Sequence, residues 1–117
     1  MGWTKEEAQQ RVDEIQAVYR EWLDLQPRLA EAERDWQKSA DLMKRLEDFY
    51  FGKDGGNGDF MRIYEDFNEG ADLDWTTEGE YSVLSQDTVW NAVHEQHNQA
   101  WRRLRSALAV LDKEQGK

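Results

Sequence analysis

Eleven positions set the terms for this chain: Ile15, Val18, Trp22, Leu25, Leu29, Ala32, Trp36, Ser39, Met43, Leu46 and Tyr50 follow one another at alternating spacings of three and four. That is a heptad seam held for five repeats, with Ser39 its one polar member, and its period commits the segment to a helix. Thr4 followed by Glu7 fits a capping box, in which hydroxyl and carboxylate each satisfy a free backbone N–H. Glu6 and Glu7 also sit where the helix dipole favours negative charge. Glu31, Glu33, Arg34 and Lys38 suit a solvated opposite face. The spacing predicts one long helix over about residues 5–51.

Pro27 leaves two architectures open, since an interior proline lacks the N–H and clashes with the preceding turn. A break there gives helices of about 5–25 and 27–50, and with a C-terminal helix a three-helix bundle. A kinked but continuous helix runs for ~69 Å at ~1.5 Å per residue. Leu25-Gln26-Pro27-Arg28 holds no turn residue besides the proline, and the heptad phase survives across it. Both observations favour the continuous helix. Gly52 to Gly58 contains four glycines in seven residues and reads as a loop that ends the helix. Asp59 is placed to cap a short helix carrying Phe60, Ile63, Tyr64 and Phe67 on one side, closed by Gly70. Residues 71–84 look irregular, with Trp75, Tyr81, Val83 and Leu84 as expected packing anchors.

A last helix, about 85–113, is expected to start at Ser85 as N-cap, with Asp87 in its first turn and Leu84 and Val89 as a hydrophobic staple. Trp90, Val93, His97, Ala100, Trp101, Leu104, Ala107, Leu108 and Leu111 form its apolar stripe. The expected architecture is all-α and a single domain over 1–117. The long first helix packs antiparallel on the last, with the Gly-rich loop at 52–58 and a short helix and connector at 59–84 between them. A last helix of ~42 Å cannot cover a first helix of ~69 Å. Part of the seam is therefore left for the short helix, a second copy or a target.

Charge sharpens this outline. The chain has 117 residues and a formal net charge of −10. Residues 1–51 carry 8 basic and 12 acidic side chains, net −4; residues 52–88 carry 2 and 10, net −8; residues 89–117 carry 5 and 3, net +2. Acid excess argues against nucleic acid as a direct ligand, because phosphate binding needs clustered Lys and Arg. It argues equally against an anionic membrane surface. No run of 18 apolar residues occurs, and Met1-Gly2-Trp3-Thr4-Lys5-Glu6-Glu7 lacks the apolar region of a secretory signal. A cytoplasmic location is the expectation. Without cysteine the chain has no disulfide or thiolate chemistry.

Three stretches carry a family resemblance: Leu46-Glu47-Asp48-Phe49-Tyr50 ending the long helix, the acidic connector, and Val83-Leu84-Ser85-Gln86-Asp87-Thr88-Val89-Trp90-Asn91 opening the last helix. Together they resemble the small bacterial and phage proteins of the domain of unknown function 4298 family, over roughly residues 10–112. The resemblance implies an all-helical fold and no known activity. The glycine-rich insert at 52–58 and Pro27 depart from the family's pattern.

Catalytic and metal signatures fail on spacing. His94 and His97 lie at i and i+3, where the zinc-protease helix needs i and i+4, and Asn98 stands at the required place. The Glu-x-x-His pairs of di-iron bundles are also missing, since Asn91 and His94 precede the two histidines by three. His97, on the stripe, is expected to be a hydrogen-bonded core residue. Asp54 and Glu65 have the end-to-end spacing of a calcium loop, but Gly56, Gly58 and Asp59 occupy its key positions. Ser85 is explained as a cap, not a nucleophile, and the glycine cluster lacks the Gly-Lys-Ser/Thr of a phosphate loop. No cofactor is expected.

Arg102, Arg103 and Arg105 are the one basic cluster, expected as a solvated face or as partners of the connector. Of six tryptophans, Trp22, Trp36 and Trp90 are expected in the core, while Trp3 and Trp75 are candidates for an exposed anchor. The expected partner-binding residues are Glu65, Asp66, Glu69, Asp72, Asp74, Trp75, Glu78, Glu80 and Tyr81, interleaved with Tyr64 and Phe67. Such a segment suits a non-enzymatic module that engages a basic protein. With duplex DNA carrying roughly one charge per ~1.7 Å of axis, a compact acidic face can occupy a nucleic-acid-binding groove. Inhibition of that kind is one function the chain suits. The alternative is a homo-oligomeric coiled-coil scaffold, with a homodimer as its simplest form.

Overall fold

The computed structural model describes residues 2–53, 58–85 and 87–115. Three helices follow in order, α1 (Lys5–Phe51), α2 (Asp59–Asp66) and α3 (Thr88–Gln115), with no strand among the described residues. The protein is all-α. It divides into two compact units, residues 1–39 and 40–117.

α1 begins as its first residues dictate. The Thr4 hydroxyl accepts the Glu7 N–H at 3.1 Å, and the Thr4 carbonyl accepts the Ala8 N–H at 2.9 Å. The helix is continuous through Pro27, so the three-helix bundle broken at that residue does not form. One turn earlier, the Gln26 amide donates to the Trp22 carbonyl at 3.1 Å, giving that part of the ladder an extra donor. α1 stops at Gly52, whose φ of 86° is one that L side chains resist, with its N–H bonded to the Asp48 carbonyl at 3.0 Å.

Among the described residues of the N-terminal unit, α1 is the only helix. Val12, Ile15, Val18, Tyr19, Trp22, Leu23, Leu25 and Leu29 are all exposed, and Tyr19 stacks on Trp22 with ring centroids 6.1 Å apart. The seam here is wider than the heptad positions alone, because Val12, Tyr19 and Leu23 extend it on one side.

The C-terminal unit holds the core. The end of α1 and the start of α3 meet at Phe51 and Trp90, 6.0 Å apart and edge to face. Burial runs inward from that meeting point, along Met43, Leu46 and Tyr50 on one helix and Val89, Ala92, Val93 and Gln96 on the other. The two helices therefore run antiparallel here. Phe60 of α2 is the hub of the third side: it lies 4.8 Å from Tyr50, 6.1 Å from Phe49 and 5.8 Å from Tyr64. Phe60 at 7% and Val89 at 1% exposure are the buried hydrophobic side chains among the described residues. Fully burying side chains of this kind stabilises by about 1.5–3 kcal/mol each, so Phe60 in the ring cluster and Val89 at the start of α3 are the two main points of cohesion among the described residues.

Gly58 makes the cluster geometrically feasible. A Cβ there would collide with the Phe49 carbonyl oxygen and stand 2.8 Å from the carbonyl carbons of Phe49 and Tyr50. Residues 54–57 of the expected Gly-rich loop lie outside the described residues, but at Gly58 backbone presses against backbone, which only glycine permits. Gly58 is also the N-cap of α2, and no side chain caps that helix. Asp59, expected as the cap, instead lies in the first turn and pairs with Arg62 at 3.0 Å.

α3 differs from expectation at its start and in its orientation. The Asp87 carbonyl accepts the Asn91 N–H at 2.8 Å, while Ser85 closes two successive turns, its N–H to Ser82 at 3.0 Å and its carbonyl from Thr88 at 3.2 Å. Ser85 is therefore a turn residue ahead of the helix, and Leu84 and Val89 do not hold staple positions. The inward face carries Val89, Ala92, Val93, Gln96 and Gln99, so Val93 is the one residue of the expected stripe that turns inward and the rest of it is exposed. His97 is exposed, not in the core, because the stripe it belongs to faces outward. Trp90 (48%), Trp101 (55%), Leu104, Leu108 and Leu111 are exposed along with it. The same correction holds for Trp22, while Trp36 is half-buried.

Candidate interaction surface

The connector between α2 and α3 gets its form from its backbone. α2 ends at Phe67, whose N–H bonds to the Ile63 carbonyl at 3.1 Å. Three residues in a row then take positive φ: Asn68 at 55°, Glu69 at 57° and Gly70 at 82°. Asn and Gly tolerate that region, whereas Glu69 occupies it at a cost of about 1–3 kcal/mol. The reversal is tied by Ala71 to Asn68 at 3.0 Å, Leu73 to Gly70 at 3.1 Å and Asp72 to Phe67 at 3.3 Å, each an N–H donating to a carbonyl.

A second turn follows. The Asp74 carboxylate accepts the Thr76 N–H at 3.0 Å, and the Thr77 hydroxyl donates to the Glu80 carbonyl. The Thr76 amide, with its hydroxyl second, holds the Asp74 carboxyl below the usual aspartate range. Gly79 closes the turn with a φ of 75°. Leu73 and Leu84 are half-buried and tether the segment, with Leu84 3.9 Å from where a Cβ on Gly70 would stand. Of the anchors expected from sequence, only Leu84 fills that role: Tyr81 is 86% exposed, and Trp75 and Val83 are each 43% exposed.

All seven acids of the expected site, Glu65, Asp66, Glu69, Asp72, Asp74, Glu78 and Glu80, are exposed. None of them makes an ion pair among the described residues; the one bridge in this part of the chain joins Asp59 to Arg62, outside the set. Trp75 and Tyr81 stand exposed among them, so the acids and rings predicted to act together do share one short, solvent-facing segment. Arg102 pairs with Glu95 of its own helix at 3.0 Å. The Gln99 amide, with Arg102 second, holds the Glu95 carboxyl below its usual range.

Trp3 is 68% exposed, as its place ahead of the helix suggested. His94 packs edge to face on Trp90 at 5.2 Å. No group of three or more His, Asp or Glu placed to hold a metal occurs among the described residues, and Asp54 and Gly56 of the calcium-like spacing lie outside them. No helix is long and apolar enough to cross a membrane among the described residues.

Sequence reasoning missed one surface, the breadth of the exposed apolar face in the N-terminal unit. The signal was present in Ile15, Tyr19 and Leu23, each four residues after the last. A family model described as a domain of unknown function (DUF4298) matches residues 12–106. No curated protein and no solved structure matches the chain.

Proposed function

The chain belongs to the DUF4298 family, and from that premise we propose that it is a non-enzymatic protein–protein interaction module whose acidic connector engages a basic partner. One observation supports this reading above others: seven exposed acids without an ion pair among the described residues, set around exposed Trp75 and Tyr81. Acids supply long-range attraction to a basic surface, and the rings supply the contact area on which affinity depends. A partner that handles nucleic acid offers such a basic groove, and occupying it makes the chain an inhibitor.

The test is capture of bacterial proteins on the immobilised chain at low and high salt, beside a variant carrying Glu65→Gln, Asp66→Asn, Glu69→Gln, Asp72→Asn and Glu78→Gln. A basic protein retained at low salt, released at high salt and lost with the variant is expected. Equal retention by both chains would remove the connector from the mechanism.

A homo-oligomeric scaffold is the second reading, and the exposed apolar face over 12–29 favours it. That face and the acidic connector are different surfaces, so the two readings are compatible.

A further inference from the structure

We infer that the apolar face of α1 from Val12 to Leu29 is an interface with a second copy of this chain, the two helices lying antiparallel with Glu21 of each opposite Arg28 of the other. The inference rests on the homo-oligomeric reading, which it deepens, and names a different surface and occupant from the acidic connector.

Three observations converge on that occupant. The first is area. Trp22 and Tyr19 are about half exposed, as are the aliphatic side chains around them. Aromatic residues of this size bury 150–250 Å² each when covered. The face as a whole then offers on the order of 700 Å², close to the roughly 800 Å² per partner of a standard interface.

The second is charge. Over residues 12–32 the apolar sector is free of charged side chains, and Glu14, Glu21 and Arg28 line one of its edges at intervals of seven. Those are the flanking positions that select partner and orientation in coiled coils. Glu21 and Arg28 make no ion pair within the chain among the described residues. Placed opposite each other across a two-fold axis, they form two equivalent pairs, and the complementarity is with the chain itself.

The third is packing and long-range repulsion. The register that matches Glu21 with Arg28 sets Trp22 against Leu25, Val18 against Leu29 and Ile15 against Ala32 of the second copy. Each indole then meets an aliphatic side chain, whereas a parallel pair would stack Trp22 on Trp22 in a seam too narrow for both. An antiparallel pair also sends the chains out at opposite ends, separating two 52–88 segments that carry −8 each. Pro27 falls on the face opposite the seam, so its missing N–H does not touch the interface.

Sedimentation equilibrium on the whole chain tests this. A concentration-dependent monomer–dimer equilibrium is expected, and Trp22→Glu shifts it to monomer while the Phe51–Trp90 cluster keeps its near-ultraviolet circular dichroism. Glu21→Arg or Arg28→Glu alone weakens the dimer roughly tenfold, and the two together restore it, because each new pair is again opposite in sign. The same register brings Glu14 near Asp35 of the second copy, so Asp35→Lys strengthens association.

A monomer up to near-millimolar concentration overturns the inference, as does a dimer that Trp22→Glu leaves intact or a double charge swap that fails to restore binding. A monomer that still captures a basic protein in a salt-sensitive way sinks only the dimer. A dimer indifferent to basic proteins sinks only the connector's role.

Discussion

One seam runs the length of α1, yet its two ends meet different fates. Over 43–50 the seam residues Met43, Leu46 and Tyr50 are half-buried, and Tyr50 stacks on Phe60 of α2. Over 15–29 the same spacing and residue types are exposed at Ile15 (48%), Val18 (60%), Trp22 (54%) and Leu29 (59%). A heptad pattern thus states that a face needs covering and leaves the source of the cover open. What distinguishes the C-terminal unit is one glycine that lets backbone close on backbone, and one phenylalanine that then reaches three other rings.

The largest expected effect tests the glycine. Gly58→Ala puts a methyl against the Phe49 and Tyr50 backbone, at separations that real contacts do not show. Ordinary overpacking costs 1–3 kcal/mol, and with no flexible side chain to yield here the loss should be about 4 kcal/mol. Gly79→Ala is the control. It meets open space but keeps an unfavourable φ, so it should cost about 1 kcal/mol. Thermal unfolding of both variants reads the difference, and equal losses would show that the close approach at Gly58 is not what holds the unit together.

The phenylalanine comes next. Phe60→Ala removes the ring shared by Phe49, Tyr50 and Tyr64 and should cost about 3 kcal/mol. Trp22→Ala, in the exposed unit, should cost under about 0.5 kcal/mol at dilutions where the chain is monomeric. Its cost should then grow with protein concentration, while that of Phe60→Ala stays fixed. Hydrogen exchange should show the same split, with amides of 12–30 gaining protection as concentration rises and those of 43–50 not. Concentration-independent protection in both stretches would erase the distinction between the units.

The same comparison explains how much of the molecule could be read from its residues. Long-range periodicity and local capping chemistry gave α1 its extent, its Thr4 start and its Gly52 stop, because each is set by residues within one or two turns. Continuity through Pro27 was legible for the same reason. The rotation of α3 was not. Trp90, His97, Trp101 and Leu104 form the stronger apolar line, but which line faces inward depends on where Val89 lands after the connector's reversals at 68–70 and 79. Those reversals are tertiary facts, and Glu69 at positive φ runs against its own propensity. The acidic surface was legible because exposure of charged residues costs nothing to arrange. The breadth of the α1 face was missed because counting seam positions hides their neighbours.

A smaller effect tests whether the exposed unit has stability of its own. Thr4→Ala deletes the bond to the Glu7 N–H and should cost about 1 kcal/mol of local stability. Because the first turn is exposed apart from half-buried Ala8, the loss should appear as faster exchange at residues 6–8 with little change in the unfolding of the C-terminal unit. A global loss of the same size would mean that the two units unfold as one.

The smallest effects lie within the better-packed unit, and their sign follows from the bonds. Asp74 has its carboxyl lowered by the Thr76 amide, and Glu95 has its own lowered by Gln99 and then Arg102. A group whose folded pKa is depressed adds stability that is present above its unfolded value and lost as pH falls through the folded one. Both contacts should therefore persist from neutral pH through mild acid and open only below the ordinary carboxylate range. Both carboxylates are fully exposed, so the readout is local rather than global. In an NMR titration the Thr76 amide should shift with a midpoint below that of an unperturbed aspartate, and Asp74→Asn should abolish the transition. A midpoint at or above the ordinary value would mean that the 74–76 turn is not closed in solution. The acids of the connector would then be carried on a looser strand than the one that places Trp75 beside them.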